Sequence, residues 1–213
     1  MYSYSQSWKG GRSRRNALRI SFYLLSRSFP YPPRCFGVGM YKDEVIYSRQ
    51  QGIRVTHIFE PSKEAKKEIE DLCKKYGIEI IPYPISFLPE DVKGKFSGGF
   101  DCGIMMNVIQ WPPINPILTL VNIYELLKKG GKILISYYVR VDPKAENKEE
   151  IIQTKEMREI IERIRKEGKT PITYRDRNGI LEVSILTSSQ IKNILLDLFM
   201  SEFQHVAKKY NYL

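Results

Sequence analysis

The sequence predicts a single α/β domain built on a doubly wound, mostly parallel sheet. Three observations predict it. β-branched runs alternate with amphipathic stretches of helical period between Arg34 and Val139. A glycine pair, Gly37 and Gly39, stands at a strand-to-helix turn. An acid, Glu60, closes the following strand about twenty residues later, the interval at which such folds meet a ribose.

The chain of 213 residues, 42% hydrophobic, is long enough for one substantial core. Its three cysteines, Cys35, Cys73 and Cys102, are odd in number and lack Cys-x-x-Cys spacing, which speaks against a disulfide framework or a zinc site and for a reducing, cytoplasmic setting. The apolar run Ile20 to Leu25 is too short to span a membrane and carries no secretory pattern, so no membrane partner and no secretion are expected. Charge is concentrated at one end. Of the formal +10, +8 lies in residues 1–42, which contain no acid. Such a segment attracts polyanions through a field that salt screens, or serves only as a solvated tail.

The elements follow in order. Ser3 to Gly11 is rich in Ser, Gly and aromatics and reads as flexible. Leu18, Phe22 and Leu25 recur at helical spacing and predict a docked helix over Ser13 to Arg27, with Arg12, Arg15 and Arg19 on its flank; residues 1–30 form this basic segment and residues 31–213 the α/β domain. Arg54 to Phe59 is a buried strand, and Ser62 caps a helix striped by Ala65, Ile69, Leu72 and Tyr76 that Gly77 ends. Ile78 to Ile81 and Phe100 to Ile109 are strands. Pro116 to Lys129 is a helix with Ile117, Leu120, Val121, Tyr124 and Leu127 inward, followed by a strand from Lys132 to Val139.

Beyond this half, Asn147 to Gly168 reads as a charged surface helix or cap, with Ile152, Ile160, Ile161 and Ile164 its apolar content. Ile172 to Leu186 alternates around Asn178-Gly179, a two-residue hairpin signal. Thr187 and Gln190 form a capping box for a helix through Phe199, and Phe203 to Tyr212 is expected to add a closing strand.

Four segments in order carry a family resemblance: Cys35-Phe36-Gly37-Val38-Gly39, Ile58-Phe59-Glu60-Pro61-Ser62, the run from Phe100 to Trp111, and the run from Leu126 to Ser136. Together they resemble the core of class I S-adenosylmethionine-dependent methyltransferases, a Rossmann-like fold with a seven-stranded sheet. The resemblance implies S-adenosylmethionine as cofactor, held by Phe36, Gly37, Gly39, Glu60, Ile85, Ser86 and Asn107. Gly37 and Gly39 would let the backbone approach the methionine part, and Glu60 would accept the two ribose hydroxyls. The alternative for Glu60 is an acid serving the dipole of the helix after Ser62. The chain departs from the pattern at two acidic positions, where Cys35 and Pro84 stand; Ile85 and Ser86 would then border the adenine, with Phe59 or Phe87 stacking nearby.

Gln110 or Trp111 would line the acceptor pocket, although Trp111 packing beneath a loop is an equal reading. Catalysis in this class asks mainly for positioning. No base stands out; Tyr137 and Tyr138 are the nearest candidates, and no metal is expected, since His57 and His205 join no ligand cluster. The basic segment makes RNA or another nucleic acid the expected acceptor and partner, with Arg12, Arg14, Arg15 and Arg19 on phosphates and Trp8 or Tyr4 stacking on bases. A small-molecule or protein methyltransferase, and a non-catalytic member acting as a scaffold, are the alternatives. A nicotinamide-dependent dehydrogenase fits less well, because Lys42 occupies the third position of Gly-x-Gly-x-x-Gly.

Overall fold

The structure is a computed structural model that describes residues 12–111, 114–145, 148, 151 and 154–209. The readings placed on Tyr4, Trp8, Asn147, Ile152 and Tyr210 to Tyr212 lie outside these residues, as do the side chain of Arg12 and that of His205.

Seven strands form one sheet: β1 (Arg34–Val38), β2 (Arg54–Phe59), β3 (Glu79–Ile81), β4 (Phe100–Met106), β5 (Leu127–Val141), β6 (Lys169–Arg175) and β7 (Gly179–Thr187). Their spatial order is β3-β2-β1-β4-β5-β7-β6. All pairs are parallel except those of β7, which runs antiparallel to β5 and to β6. The carboxyl ends of β1, β2, β4, β5 and β6 therefore share one edge, and the strand order reverses beside β1, where such sheets bind ligands.

One face is covered by α1 (Arg12–Arg27), α2 (Lys42–Gln50) and α3 (Lys63–Tyr76), whose Leu18, Phe22, Leu25, Val45, Ile69 and Cys73 are buried against it. The other carries α4 (Glu90–Phe96), α5 (Pro116–Leu126), α6 (Lys155–Glu167) and α7 (Ser188–Lys209). The Leu18, Phe22, Leu25 stripe docks α1 onto β6 and α2, as its period predicts.

Several expectations are corrected. The helix read as a surface cap is α6, and its Met157, Ile160, Ile161 and Ile164 are buried in the main core; its charges occupy only the opposite face. In α5 Leu120, Ile123 and Leu126 are buried and Ile117 and Val121 pack against the same core, while Tyr124 faces outward, and the chain passes straight from Leu126 into an extended β5 that begins with the buried Leu127. β4 ends at Met106 rather than Ile109, because Asn107 takes a left-handed φ of 58° and turns the chain out of the sheet. The hairpin turns on Arg177-Asn178, one residue earlier than expected: the Asp176 amide donates to the Gly179 carbonyl, and the Asp176 carboxylate accepts from the Asn178 and Gly179 amides. The Thr187–Gln190 box forms with reciprocal bonds of 2.8 and 3.3 Å. No closing strand follows it, since α7 continues through Phe203 to Lys209.

The widely spaced Cys35 of β1 and Cys102 of β4 are buried register partners, with a Cα–Cα distance of 4.5 Å. Their separation of 67 residues hid a neighbour relation that only the strand register creates. Beside them, Phe36 occupies the space above Gly103 of β4 and packs edge-on against Phe59 and Phe100 at 5.8 and 5.2 Å. A Cβ on Gly103 would stand 2.5 Å from the Phe36 ring. Gly103→Ala is expected to cost about 1–3 kcal/mol through overpacking, read as a lower urea midpoint at unchanged slope.

Candidate functional site

At the shared carboxyl edge, β1 turns out of the sheet through Gly39, whose φ of +59° suits glycine and whose amide donates to the Phe59 carbonyl at 3.0 Å. Glu60 follows Phe59 on β2 and is tied to β3 by its own amide, which donates to the Ile81 carbonyl. One Glu60 carboxylate oxygen accepts the Ser62 amide at 2.8 Å; the other lies 3.8 Å from where a Gly39 side chain would begin. Glu60 thus serves the start of α3 and also points an acceptor at the glycine turn. Burial pushes its carboxyl from an ordinary 4.5 up to about 7, against the opposing pull of the Ser62 amide.

The other glycine has a different neighbour. The space over Gly37 is filled by the Met40 thioether, so the absence of a side chain there admits Met40. Phe36 and Phe59 are wholly buried core rings, leaving only their backbones for the edge. Phe87 is exposed. Ile85 and Ser86 lie in a short 3₁₀ turn after β3, which α5 holds through a bond of 2.6 Å from the Asn122 amide to the Ile85 carbonyl. With its side chain in the core and its carbonyl engaged, Ile85 has little left to offer. Ser86 differs: it is buried, and its hydroxyl has no hydrogen-bond partner among the described residues.

The loop after β4 is built by two side-chain clasps to β5. The Asn107 amide donates to the Ser136 hydroxyl at 2.8 Å, and that hydroxyl donates to the Asn107 side-chain oxygen at 2.6 Å. Gln110 bonds both the amide and the carbonyl of Tyr138, continuing the β4–β5 ladder after the β4 backbone has left it. This corrects the pocket-lining reading of Gln110, whose carboxamide is consumed in holding β5. Trp111 is half-buried and packs against the core face that also carries α1.

Neither tyrosine of β5 is a base. Tyr137 meets the Ser184 hydroxyl at 2.7 Å and Tyr138 donates to Asp176 at 2.7 Å; burial raises both phenols. His57 packs edge-on to Phe96 and Phe100. Among the described residues no group of His, Cys, Asp or Glu is arranged to hold a metal ion, and no helix is long and apolar enough to cross a membrane.

The basic helix is also revised. Arg15 and Arg19 are exposed, with Arg19 lying over the Tyr47 ring at 5.0 Å. Arg14 is buried, with only 4% of its surface exposed, and its guanidinium meets Glu44 at 3.4 Å. It is therefore no phosphate contact. Glu44 also accepts the Tyr41 amide just past the glycine turn, and burial, opposed by Arg14, pushes its carboxyl up to about 7. Sequence reasoning missed this pair, because thirty positions separate partners that meet only when α1 docks beside α2.

No protein-family model matches the sequence, and no curated protein matches it. Among solved structures the chain is similar to the N-methyltransferase NodS from Bradyrhizobium japonicum, with a TM-score of 0.59 and 9% identity over 81% of this chain and 94% of that one. It is also similar to the 1,6-didemethyltoxoflavin-N1-methyltransferase of Burkholderia thailandensis, solved with its substrate and S-adenosylhomocysteine (TM-score 0.57, 18% identity, 81% and 78% covered). A third is the magnesium protoporphyrin IX methyltransferase of Synechocystis with bound S-adenosylmethionine (TM-score 0.56, 12% identity, 82% and 79% covered). The fold is that of the class I S-adenosylmethionine-dependent methyltransferases.

The raised Glu60 carboxyl has a consequence for stability. Its folded value exceeds its unfolded one, so its contribution is fully present below about pH 4.5 and is lost as pH rises through about 7. Glu60→Gln is expected to remove this loss, narrowing the stability difference between pH 5 and pH 8 by on the order of 2–3 kcal/mol in urea titrations.

Proposed function

We propose that the protein is an S-adenosylmethionine-dependent methyltransferase. The observation that carries this reading is the meeting of Gly39 and Glu60 at the carboxyl edge: a left-handed, side-chain-free turn with a carboxylate oxygen aimed at it. The residues fit the cofactor. Glu60 presents an acceptor for ribose hydroxyls, Gly39 lets the backbone come close, and the unpartnered Ser86 hydroxyl after β3 offers a bond on the adenine side. These groups compensate in part for the acids replaced by Cys35, which lies in the core beside Cys102, and by Pro84.

When bound, S-adenosylmethionine supplies a methyl group activated on a sulfonium, and its transfer depends on in-line positioning in a dry site. This chain's own contribution is to hold and orient. Gly39, Glu60 and Ser86 grip the donor, while the Asn107–Ser136 and Gln110–Tyr138 clasps fix the loop that faces it. For the acceptor, two of the proteins of similar fold named above carry 1,6-didemethyltoxoflavin and magnesium protoporphyrin IX in their names, a small molecule and a porphyrin. An RNA acceptor keeps one supporting observation, the exposed Arg15 and Arg19 in an acid-free segment. The burial of the polar groups at the edge favours a small molecule.

Calorimetric titration with S-adenosylmethionine and S-adenosylhomocysteine tests the reading. Binding is expected to be abolished by Gly39→Arg and weakened roughly ten- to a hundredfold by Glu60→Ala, the loss of about 1.5–3 kcal/mol of charged hydrogen bonding. Because ribose hydroxyls need the ionised carboxylate, wild-type affinity is expected to fall about tenfold from pH 8 to pH 6, and Glu60→Gln to flatten that dependence. No binding at millimolar ligand would sink the enzyme reading.

A further inference from the structure

The outer face of α7 is apolar where a solvent face is normally charged. Ile191, Ile194, Leu195 and Leu198 are buried against the sheet, while Asn193 donates to Glu167 of α6 and Asp197 pairs with Arg163 of α6 at 3.3 Å. That leaves Leu196, Phe199 and Met200, at helical spacing, turned to solvent and each between 51% and 59% exposed. Ser201 is exposed as well, and three successive positions take in more than half the circumference of a helix, so at this level α7 stands clear of its own domain, although the helix continues to Lys209. A helix draws most of its stability from the apolar stripe it buries, and the described residues leave this one uncovered. On α5, packed beside α7, Tyr124 is 37% exposed and Ile117 and Val121 are only partly buried. Single exposed apolar residues are ordinary; a cluster of this size marks a binding surface.

Area and charge both point to a second copy of this chain as its occupant. Leu196, Phe199, Met200 and Tyr124, exposed to that degree, offer about 400 Å² per copy if each large side chain contributes about 200 Å² when free. Two copies set together on them bury about 800 Å², and Ile117, Val121 and the rims of the helices bring the total to about 1,200 Å², where specific interfaces begin. A two-fold axis needs no complementary patch elsewhere, because it lays the same apolar residues against each other.

Of the chain's formal +10, +8 lies in residues 1–42, and α1 covers the face of the sheet opposite α7. From Ile194 to Ser201 the one charged residue is Asp197, which Arg163 neutralises. Copies that meet through α7 therefore keep their positive faces apart, whereas a polyanion or an acidic partner finds no cation on this stretch.

We propose that α7 and α5 form the interface of a two-fold homodimer, the α7 helices crossing near Phe199 with Leu196 of each copy packed on Phe199 and Met200 of the other. Such a dimer is independent of the methyltransferase reading.

Sedimentation velocity of the full chain over roughly 1 to 100 µM tests it, together with the melting temperature across the same series. At the upper end the wild type is expected to have the mass of two chains, and its melting temperature to rise with concentration. Phe199→Asp and Leu196→Asp, both at exposed positions, are expected to weaken association by about tenfold or more and to remove the concentration dependence. Tyr23→Asp, at an equally exposed aromatic on the α1 face, leaves the dimer unchanged. Added salt leaves it unchanged or tighter, since it screens repulsion between two net-positive chains. A wild type that stays monomeric throughout overturns the inference, whether Phe199→Asp then lowers the melting temperature, as it would if a segment of the same chain covered the patch, or leaves it unchanged, as it would if the patch served a different protein. A dimer that Phe199→Asp leaves intact, or that salt dissolves, overturns it too.

Discussion

The Phe36 ring seated over Gly103 fixes β1 against β4, and the geometry of the carboxyl edge depends on that seat. Close approach of the two strands requires that β4 have no side chain at this point and that β1 have a large one. Further along the same pair, the backbone amide of Arg34 donates to Asp101 at 2.9 Å, and Lys128 bonds the same carboxylate at 2.8 Å. Burial alone would raise the Asp101 carboxyl, but these partners hold it below its usual value. With β1 fixed between β2 and β4, the Gly39 amide reaches the Phe59 carbonyl and the turn meets Glu60.

The edge itself is built at a cost in stability. Glu60 and Glu44 are buried carboxyls that burial pushes up to about 7, and the Ser86 hydroxyl has no hydrogen-bond partner among the described residues. Cores seldom retain such groups for packing, because the partners of the two carboxyls offset only part of the lost hydration and the Ser86 hydroxyl gains none. Glu60 and Ser86 follow β2 and β3, Glu44 lies in the first turn of α2, and the cores on both faces of the sheet are apolar. That separation of an apolar interior from a polar edge is what a fold needs to hold a small polar ligand out of bulk solvent.

Much of this could be read from the chain. The glycine turn and Glu60, the Ser62 cap and Gly77 end of α3, the Thr187–Gln190 box and the α1 stripe are local patterns, within a few residues or one strand–turn–strand interval. Local sterics and hydrogen bonds decide them, so the sequence alone determined most of the strands and longer helices and that the sheet is doubly wound, while the short α2 and α4 went unread. Errors arose where a local signal had two readings. The charged face of α6 was visible, but the burial of its isoleucine face depended on an open sheet surface waiting for it. The apolar residues after Phe199 suit a strand as well as a helix, and the helix already begun at Ser188 carried them.

What only the tertiary structure decided is who meets whom. Cys35 meets Cys102, Arg14 meets Glu44, and Gln110 clasps Tyr138. These partners lie between 28 and 67 positions apart in the chain. Their meeting is set by strand register and helix docking, which arise from the packing of all the elements at once and leave no trace in any one stretch of sequence. The glycine turn and Glu60 were therefore legible from their motif, and the clasps and ion pair around them appeared only when the sheet was assembled.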